Sequence, residues 1–317
     1  MKLLITGGAG FIGSNFTNLV TQNSNLNFDK ITVLDNLTYA GNLDNIKNYK
    51  DKIEFIKGDI RDRNLLLSLT KQVDAIVNFA AESHVDRSIK SSNIFMETNI
   101  LGLHNLLECA KLNGIESFVQ VSTDEVYGSI KSGTFNENSA LNPSSPYAAS
   151  KASADLLALS YFKTYDLNIK ITRSSNNYGP MQYPEKMIPL FITNLIQRKK
   201  LPIYGSGLNI RDWLYVEDNC EAILRVLEHG QPGRIYNIGA GIEMSNLEMA
   251  SLIMKKMKIN REMIEHVPDR KGHDFRYSID SSRIKNELGF SATTLLGEGL
   301  EKTISWYQTN FKIINRY

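Results

Sequence analysis

Cysteine is scarce in this sequence, which contains only Cys109 and Cys220 among its 317 residues. The two cysteines stand far apart and in no recognisable spacing, so we expect neither a disulfide framework nor a metal site. No apolar run approaches the length of a membrane span. The apolar start Met1–Ile5 is too short for a secretory signal peptide and runs straight into glycines. These absences predict a cytoplasmic protein without a membrane partner.

The sequence also lacks a large excess of positive or negative charge. The chain carries 36 Lys and Arg against 34 Asp and Glu, which gives a net charge of +2. The charges are interspersed, so no basic surface for nucleic acid or membrane is expected. With 42% hydrophobic and 22% charged residues, the composition is typical of a soluble globular protein. The length suits one large domain or two that share an interface.

The N-terminal segment contains a glycine-rich turn in a specific context. Lys2–Thr6 predicts a strand, and Gly7-Gly8-Ala9-Gly10-Phe11-Ile12-Gly13 follows it, ahead of an apolar-periodic helix. Glycines at 7, 10 and 13 let the backbone approach a pyrophosphate, towards which the helix directs its first amides. A second strand, Ile31–Leu34, ends in Asp35, whose carboxylate can hold both hydroxyls of an adenosine ribose. No arginine stands beside Asp35, so we predict NAD rather than NADP.

Strands and helices alternate along the first half of the chain. This pattern predicts an α/β fold, a Rossmann-type doubly wound parallel sheet. Further strands are predicted at 53–57, 74–79, 118–121, 169–173 and 234–238, and helices at 61–71, 95–113, 147–165 and 218–229.

The alternation stops after residue 173. Residues 174–180 form a polar loop in this interpretation, a helix covers 188–198, and the segments at 201–205 and 211–213 are irregular. We therefore predict a smaller, mainly helical C-terminal substrate domain. The predicted boundaries are 1–175 with 212–238 for the NAD-binding domain and 176–211 with 239–317 for the second domain, which the family resemblance described below implies to be sugar-nucleotide-binding.

Two adjacent carboxylates, Asp124 and Glu125, follow the buried strand at 118–121. The carboxyl edge of such a sheet is where ligands bind. Neighbouring carboxylates that are buried together can hold one protonated and one ionised. One site would then contain both an acid and a base, as a dehydration requires. Helix capping or solvent exposure is the alternative, and the spacing alone favours it.

A second pair of candidates is Tyr147 and Lys151, which share one face of a predicted helix that begins near Pro146. A lysine ammonium close to a tyrosine hydroxyl favours the phenolate and predicts a lowered pKa for Tyr147. A surface pair is the alternative. Arg211 and Arg270 suit a diphosphate, which guanidinium groups clamp with two hydrogen bonds, although salt bridges to nearby acids explain them equally well.

These motifs together resemble one known family. Gly7–Gly13, Asp35, Thr123-Asp124-Glu125, Tyr147-x-x-x-Lys151 and the segment 176–180 resemble the extended short-chain dehydrogenase/reductases. Segments 80–89, 184–186, 210–218 and 269–274 extend the match over nearly the whole chain. Within that family, the narrow Thr-Asp-Glu motif is similar to that of the dTDP-glucose 4,6-dehydratases. Related epimerases lack the acid pair, and the dehydratases of GDP-mannose and CDP-glucose carry different residues there.

The resemblance implies a reaction and a role for each catalytic residue. Tyr147, tuned by Lys151, takes the proton of the sugar's 4-hydroxyl while hydride passes from carbon 4 to NAD. Thr123 hydrogen-bonds that hydroxyl. Glu125 removes the carbon 5 proton, Asp124 protonates the departing 6-hydroxyl, and hydride returns to carbon 6.

The resemblance also implies two sets of binding residues and a homodimer. The dimer would form through the helices at 95–113 and 147–165. Cofactor contacts are expected from Gly7, Gly10, Phe11, Ile12, Gly13, Asp35, Asn36, Leu37, Thr38, Asp59, Ile60, Phe79, Ala80, Ala81, Thr98, Tyr147, Lys151 and Asn177. Contacts to the nucleotide sugar, dTDP-glucose, are expected from Ser83, Thr123, Asn176, Lys186, Met187, Pro202, Ile203, Tyr204, Arg211, Asn246, Arg270 and His273.

The chain departs from the family pattern at three places, all in its nucleotide-binding half. Lys271 replaces a usual proline, Phe275 replaces a frequent arginine, and Ala240-Gly241-Ile242 replaces a more polar turn. The alternatives are a 4-epimerase or a UDP-sugar dehydratase of the same fold and, from another class, a non-catalytic NAD-binding sensor. The acid pair counts against the epimerase, and the intact Tyr147 and Lys151 count against the sensor.

Overall fold

A computed structural model of the chain describes residues 1–23, 26 and 28–314. Its strands are, in chain order, β1 Lys2–Thr6, β2 Lys30–Asp35, β3 Glu54–Lys57, β4 Ala75–Asn78, β5 Ser117–Thr123, β6 Ile169–Ser174, β7 Asn176–Tyr178, β8 Leu201–Tyr204, β9 Ile210–Tyr215, β10 Ile235–Ile238, β11 Glu243–Ser245 and β12 Ile264–Val267. Its α-helices are α1 Phe11–Gln22, α2 Arg63–Thr70, α3 Val85–Lys90, α4 Asn93–Phe95, α5 Leu103–Asn113, α6 Pro146–Tyr165, α7 Met187–Ile196, α8 Val216–His229, α9 Asn246–Lys256, α10 Ser282–Leu288 and α11 Leu296–Ile314.

Within the described residues, seven strands form one sheet in the order β10-β6-β5-β4-β1-β2-β3. All of its neighbouring strands are parallel. The strand order reverses between β1 and β4, and a reversal of this kind opens a crevice at the carboxyl ends of the strands. The predicted Rossmann-type doubly wound sheet is therefore confirmed.

Helices cover both faces of this sheet. On one face, α1, α8 and α10 pack on the strands through a buried cluster that includes Phe16 and Ile223. On the other face, α2, α5 and α6 form a second cluster that includes Leu66 and Leu107. Each such side chain stabilises the fold by roughly 1.5–3 kcal/mol when fully buried. A third cluster, away from the sheet, joins α7, α9 and α11.

The remaining strands form two small sheets beside the third cluster. β9 pairs with β7 in parallel and with β11 antiparallel, while β8 pairs with β12 in parallel. The predictions of a loop over 174–180 and of irregular chain at 201–205 and 211–213 are wrong there. Strands of three to six residues show too few alternations to be recognised, and each pairs with a segment distant in the sequence. The mainly helical second part thus contains strands as well, and its last three residues, 315–317, lie outside the described part of the chain.

The predicted helix at 95–113 is also interrupted by a wider turn. Between α4 and α5 the residues Met96–Gly102 form a π-helix. This turn contains Asn99, whose side chain bonds both the N–H and the C=O of Glu82 and the hydroxyl of Ser150. A π-turn inserts one extra residue into a helix and is frequent at functional sites. Hydrophobic periodicity carries no signal for such a single insertion.

Lys170, on β6 next to the edge strand β10 of the main sheet, provides a test of stability. Its ammonium is buried, donates to the Ser117 hydroxyl at 2.8 Å, and has no carboxylate partner among the described residues. Burial lowers its pKa from 10.5 to about 8. Lys170→Met should therefore raise the free energy of unfolding at pH 7, on the order of 1–3 kcal/mol, because a desolvated charge is removed.

The pH dependence of this gain has a definite sign. The unfolded chain binds the lysine proton more tightly than the folded protein, so wild-type stability rises as pH increases from about 8 to about 10.5. The advantage of Lys170→Met should shrink over that window in chemical denaturation experiments. The exposed Lys163→Met on α6 is the matched control and should change little. A destabilised Lys170→Met protein at every pH would contradict the prediction.

No helix in the described ranges combines the length and apolar character needed to cross a membrane.

Candidate active site

A cavity lies at the carboxyl edge of the main sheet, where β1, β2, β4 and β5 end. Its walls include sixteen of the eighteen residues predicted to contact a cofactor, while Leu37 and Asn177 lie outside the lining. The sixteen are Gly7, Gly10, Phe11, Ile12, Gly13, Asp35, Asn36, Thr38, Asp59, Ile60, Phe79, Ala80, Ala81, Thr98, Tyr147 and Lys151. The fold thus collects segments that are far apart in the sequence around one space.

The glycine-rich turn leaves no room for side chains beside this cavity. Gly7 has φ +68°, and a Cβ added to it would lie 2.6 Å from the backbone nitrogen of Ala80. A Cβ on Gly13 would lie 2.2 Å from the Gly7 carbonyl oxygen. The turn therefore exposes backbone at the N-terminus of α1, where the amides and the helix dipole favour a phosphate.

Asp35 ends β2 on the same cavity. Its Oδ2 accepts a hydrogen bond from the Ala9 amide at 2.9 Å and its Oδ1 accepts one from Leu37 at 2.8 Å. Burial raises the pKa of this carboxyl, and the backbone amides oppose that effect. Asn36 donates to Asp59 at 2.8 Å. An oriented carboxylate with free lone pairs at this position suits a ribose diol.

Asp124 and Glu125 begin a short 3₁₀ turn directly after β5. The Asp124 side chain is 2% exposed, and its Oδ2 has no hydrogen-bond partner within the described residues. Burial, the Glu125 carboxylate and Asp212 together hold the pKa of Asp124 well above its usual range. Burial also raises the pKa of Glu125, but Lys186, Arg270 and Arg211 oppose that shift. Of the two carboxyl groups, Asp124 therefore holds its proton more strongly and Glu125 ionises more readily, which suits an acid and a base in one site.

Tyr147 and Lys151 lie on α6, which begins at Pro146 as predicted and is capped by the Ser145 hydroxyl. Lys151 Nζ donates to the carbonyl of Val121 at 2.5 Å, and burial lowers its pKa to about 8. Burial and the Glu125 carboxylate raise the pKa of Tyr147 well above its usual value, although a hydrogen bond with the Thr123 hydroxyl opposes that shift. The predicted lowering of the Tyr147 pKa by Lys151 is therefore wrong in this structure. A phenolate is costly in a buried site that already holds carboxylates.

Several of the predicted sugar-nucleotide residues converge on Asp86. Tyr204 donates to Asp86 at 3.2 Å, and the Arg270 guanidinium lies 3.7 Å from its other oxygen. His273 packs edge-on against the Tyr204 ring, with 6.3 Å between ring centres. Arg211 is buried and donates only to backbone carbonyls in the described part of the chain. Neither arginine is committed to a close ion pair, so both suit an anionic ligand.

The other predicted sugar-nucleotide residues are more dispersed. Ser83 and Lys186 line the cavity and bond each other, because the Lys186 ammonium donates to the Ser83 carbonyl at 2.7 Å. Thr123 ends β5 beside the acid pair. The rest lie on separate elements: Asn176 begins β7, Met187 begins α7, Pro202 and Ile203 belong to β8, and Asn246 begins α9.

The structure also shows residues in or beside the cavity that are not among the predicted contacts. The Arg87 guanidinium stacks 3.7 Å from the centre of the Tyr39 ring and donates to Glu185 at 2.9 Å. Tyr39 meets Tyr183 edge to face, with 5.4 Å between ring centres. Tyr39, Tyr183 and Glu185 line the cavity. These residues come from three distant segments, so no local pattern reveals their contact.

A further cavity residue, Arg61, bears on cofactor choice. Its guanidinium pairs with Asp59 and with Glu97, each at 2.7 Å. An arginine near the ribose site can accept a 2′-phosphate, but this one is already neutralised by two carboxylates. Within residues 1–23, 26 and 28–314, no group of three or more His, Cys, Asp or Glu could hold a metal ion.

Comparison with known proteins agrees with this geometry. A family model described as GDP-mannose 4,6 dehydratase matches residues 4–303. The dTDP-glucose 4,6-dehydratase of Streptomyces niveus is 48% identical, over 98% of this chain and 94% of that protein. This chain belongs to the dTDP-glucose 4,6-dehydratase family. The predicted resemblance is therefore confirmed at the level of the family.

Two further relatives show the breadth of that family. The crystal structure of DesIV, a dTDP-glucose 4,6-dehydratase from Streptomyces venezuelae with NAD bound, superimposes with a TM-score of 0.97 at 48% identity. The match covers 99% of this chain and 98% of that one. A Haloferax volcanii protein named for low-salt glycan biosynthesis is 49% identical, over 97% of this chain and 98% of that protein.

Proposed function

We propose that this protein is an NAD-dependent dTDP-glucose 4,6-dehydratase, which converts dTDP-glucose to dTDP-4-keto-6-deoxyglucose and water. The buried pair of Asp124 and Glu125 carries the proposal, because their environments favour one acid and one base beside Tyr147. Family membership supports the substrate, and the NAD-bound relatives support the cofactor. A 4-epimerase needs no such acid pair.

The glycine turn and Asp35 fit the dinucleotide, one at the pyrophosphate and the other at the ribose. Bound NAD would supply the hydride acceptor for carbon 4 and the hydride donor for carbon 6. Arg211, Arg270 and Lys186 would bind the nucleotide diphosphate and fix the sugar beside the acid pair.

The chain's own residues move the protons. Tyr147 takes the proton of the 4-hydroxyl in its phenolate form, which the Lys151 ammonium and the positive charge of bound NAD would favour. The Thr123 hydroxyl forms a hydrogen bond with the same 4-hydroxyl. Glu125 takes the carbon 5 proton and returns it to carbon 5 once the new carbon 6–hydrogen bond has formed. Asp124 gives its proton to the 6-hydroxyl as the carbon–oxygen bond breaks. Over one turnover Asp124 loses one proton to the departing water and Tyr147 gains one from the 4-hydroxyl, so the protons balance.

The deciding experiment offers dTDP-, UDP- and CDP-glucose to the purified protein and follows each by mass spectrometry. Loss of one water from dTDP-glucose, with little or no added NAD, is the expected result because the hydride is returned within each turnover. Preference for UDP-glucose would instead make the protein a UDP-sugar dehydratase. Stoichiometric release of NADH would indicate a plain dehydrogenase.

Cofactor choice should depend on the end of β2. Replacing Asp35 by Ser and Asn36 by Arg removes the carboxylate that repels a 2′-phosphate and adds a cation beside it, so preference should shift towards NADP. The Kd values of the two cofactors, measured by titration, test this. Asn36→Gln is the matched control and should leave the preference for NAD unchanged. Unaltered preference in a folded double variant would mean that the ribose is held elsewhere.

We also propose a homodimer formed through the helical segments at 95–113 and 147–165. Leu101 and Leu156, one in each segment, are 59% and 60% exposed, and apolar side chains of this size favour an interface. Introducing Glu at both positions should convert the dimer to a monomer in light scattering. Leu295→Glu is the control, because Leu295 is also a largely exposed leucine, at 72%, and lies outside these helices. A monomeric wild-type protein would contradict the proposal.

The domain division and location predicted above remain part of the proposal. We retain 1–175 with 212–238 as the NAD-binding domain and 176–211 with 239–317 as the sugar-nucleotide domain. Helix α10, at 282–288, packs back on α8 and β10, so the second range also contributes to the first core. Cys109 and Cys220 are buried free thiols, which suits the reducing cytoplasm.

A further inference from the structure

Asp212 is a buried carboxylate for which the proposed reaction has no role. It lies in β9, is 2% exposed, and accepts hydrogen bonds from the backbone amides of Ile242 at 2.8 Å and Ala240 at 3.1 Å. Gly241 has φ +69°, the left-handed conformation that turns neighbouring amides towards one anion. A Cβ on Gly239 would lie 2.5 Å from Asp212 Oδ2. The turn at 239–242 is therefore built closely around this carboxylate.

The strand register brings Asp212 close to the catalytic turn. Thr123 pairs with Ser174 across β5 and β6, and Asn176 pairs with Trp213 across β7 and β9. Asp124 directly follows Thr123, Ser175 joins β6 to β7, and Asp212 directly precedes Trp213. Neighbouring strands are about 4.8 Å apart, so these pairings bring Asp212 into the neighbourhood of the catalytic turn, within electrostatic range of Asp124.

The charges that face Asp124 come from several elements. Glu125 follows it in the chain and Asp212 faces it from β9, and both disfavour its ionisation. Arg211, also in β9, acts in the opposite direction, and the Tyr147 hydroxyl of α6 feels the charge of Asp124. The cations Lys186 and Arg270 act on Glu125 instead.

The two buried aspartates differ in their hydrogen bonds. Burial raises the pKa of Asp212, but the amides of the turn oppose that shift and favour its ionised form. Asp124 has no comparable donors, and one of its oxygens lacks a partner in the described ranges. When two close carboxyl groups compete, the one with more amide donors ionises first.

We propose that Asp212 is a positioning residue of the reaction, a fixed negative charge that keeps Asp124 in its protonated, proton-donating form. The inference rests on the proposed function. It also accounts for the departure at Ala240-Gly241-Ile242, because the turn holds Asp212 through backbone amides and its side chains are free to vary.

The test measures dehydration against pH for Asp212→Asn and for Glu243→Gln. Glu243 pairs with Asp212 across β11 and β9, but its carboxylate binds Arg276 at 2.6 Å. Asp212→Asn should move the basic limb of the profile down by about one pH unit, and dehydration above that limb should be about tenfold slower. Formation of bound NADH and exchange of the carbon 5 proton should be unchanged. Glu243→Gln should keep the wild-type profile.

Further measurements separate this charge effect from a structural one. Asp212→Glu keeps the charge and should restore the wild-type pH profile. A purely structural role would lower all three steps without moving the limb, and that result overturns the inference. Infrared difference spectra of the wild type against Asp124→Asn need no substrate and no Asp212 variant. They should show a protonated Asp124 at neutral pH, and an ionised Asp124 would overturn the inference even if Asp212→Asn failed to fold. Failure of the wild type to dehydrate any nucleotide sugar would instead defeat the proposed function.

Discussion

Glu125→Gln and Asp124→Asn should each slow overall turnover by roughly a hundred- to ten-thousand-fold, the usual worth of a positioned proton-transfer group. The glutamine keeps the shape of Glu125 but cannot accept the carbon 5 proton. The asparagine removes the acid at carbon 6 and leaves the base intact. Oxidation at carbon 4 precedes both steps, so both variants should still form enzyme-bound NADH, which its absorbance reports.

Heavy water distinguishes the two variants. Burial raises the pKa of Glu125, but Lys186, Arg270 and Arg211 oppose that shift, so Glu125 ionises more readily than Asp124, whose pKa is held well above its usual range. The Asp124→Asn protein should therefore still exchange the carbon 5 proton with solvent, and the Glu125→Gln protein should not. The deuterium content of the recovered substrate, measured by mass spectrometry, shows whether the carbon 5 proton has exchanged. Equal exchange in the two variants would defeat the assignment of the base to Glu125.

Tyr147→Phe should suppress the first step, with a loss of roughly a hundred- to ten-thousand-fold in the formation of bound NADH. Without the phenol oxygen no group accepts the 4-hydroxyl proton, so no ketone forms to acidify carbon 5. Both dehydration and carbon 5 exchange should fail with it. This pattern differs from that of the acid-pair variants, which stop after oxidation.

A matched control for Tyr147→Phe lies on the same helix. Tyr161 is also buried, but its hydroxyl donates to Glu108 at 2.5 Å, away from the cavity. Tyr161→Phe should form bound NADH at the wild-type rate. Rapid NADH formation by Tyr147→Phe would show that another group takes the 4-hydroxyl proton.

The parts of this protein that could be predicted from sequence are those with a local physical cause. The glycine turn at 7–13 needs backbone without side chains, and β5 contains the apolar residues Phe118, Val119 and Val121, so both are visible in a few consecutive residues. Pro146 lacks an amide hydrogen and begins α6 as expected. Short strands such as β7 and β8 were missed, since each depends on a partner distant in the sequence.

The pKa values of the site residues show this limit of sequence-based prediction more clearly. The spacing of Tyr147 and Lys151 placed the two residues on one helical face, but it could not tell how deeply they are buried. Burial and the Glu125 carboxylate reverse the expected direction of the Tyr147 pKa shift. A pKa depends on every charge and dipole within several ångströms, and most of these come from other elements.

The sequence by itself determined the fold class, the cofactor turn and the identity of the acid pair, because each depends on residues that are neighbours in the chain, and the family resemblance implied Asp124 as the acid and Glu125 as the base. Only the tertiary structure decided the electrostatic surroundings that make the two carboxyl groups unequal. Asp124 and Glu125 have nearly the same chemistry, and they differ in the groups that β9 and the loops place around them. Asp212 faces Asp124 while Lys186 and Arg270 face Glu125, and only folding creates that difference.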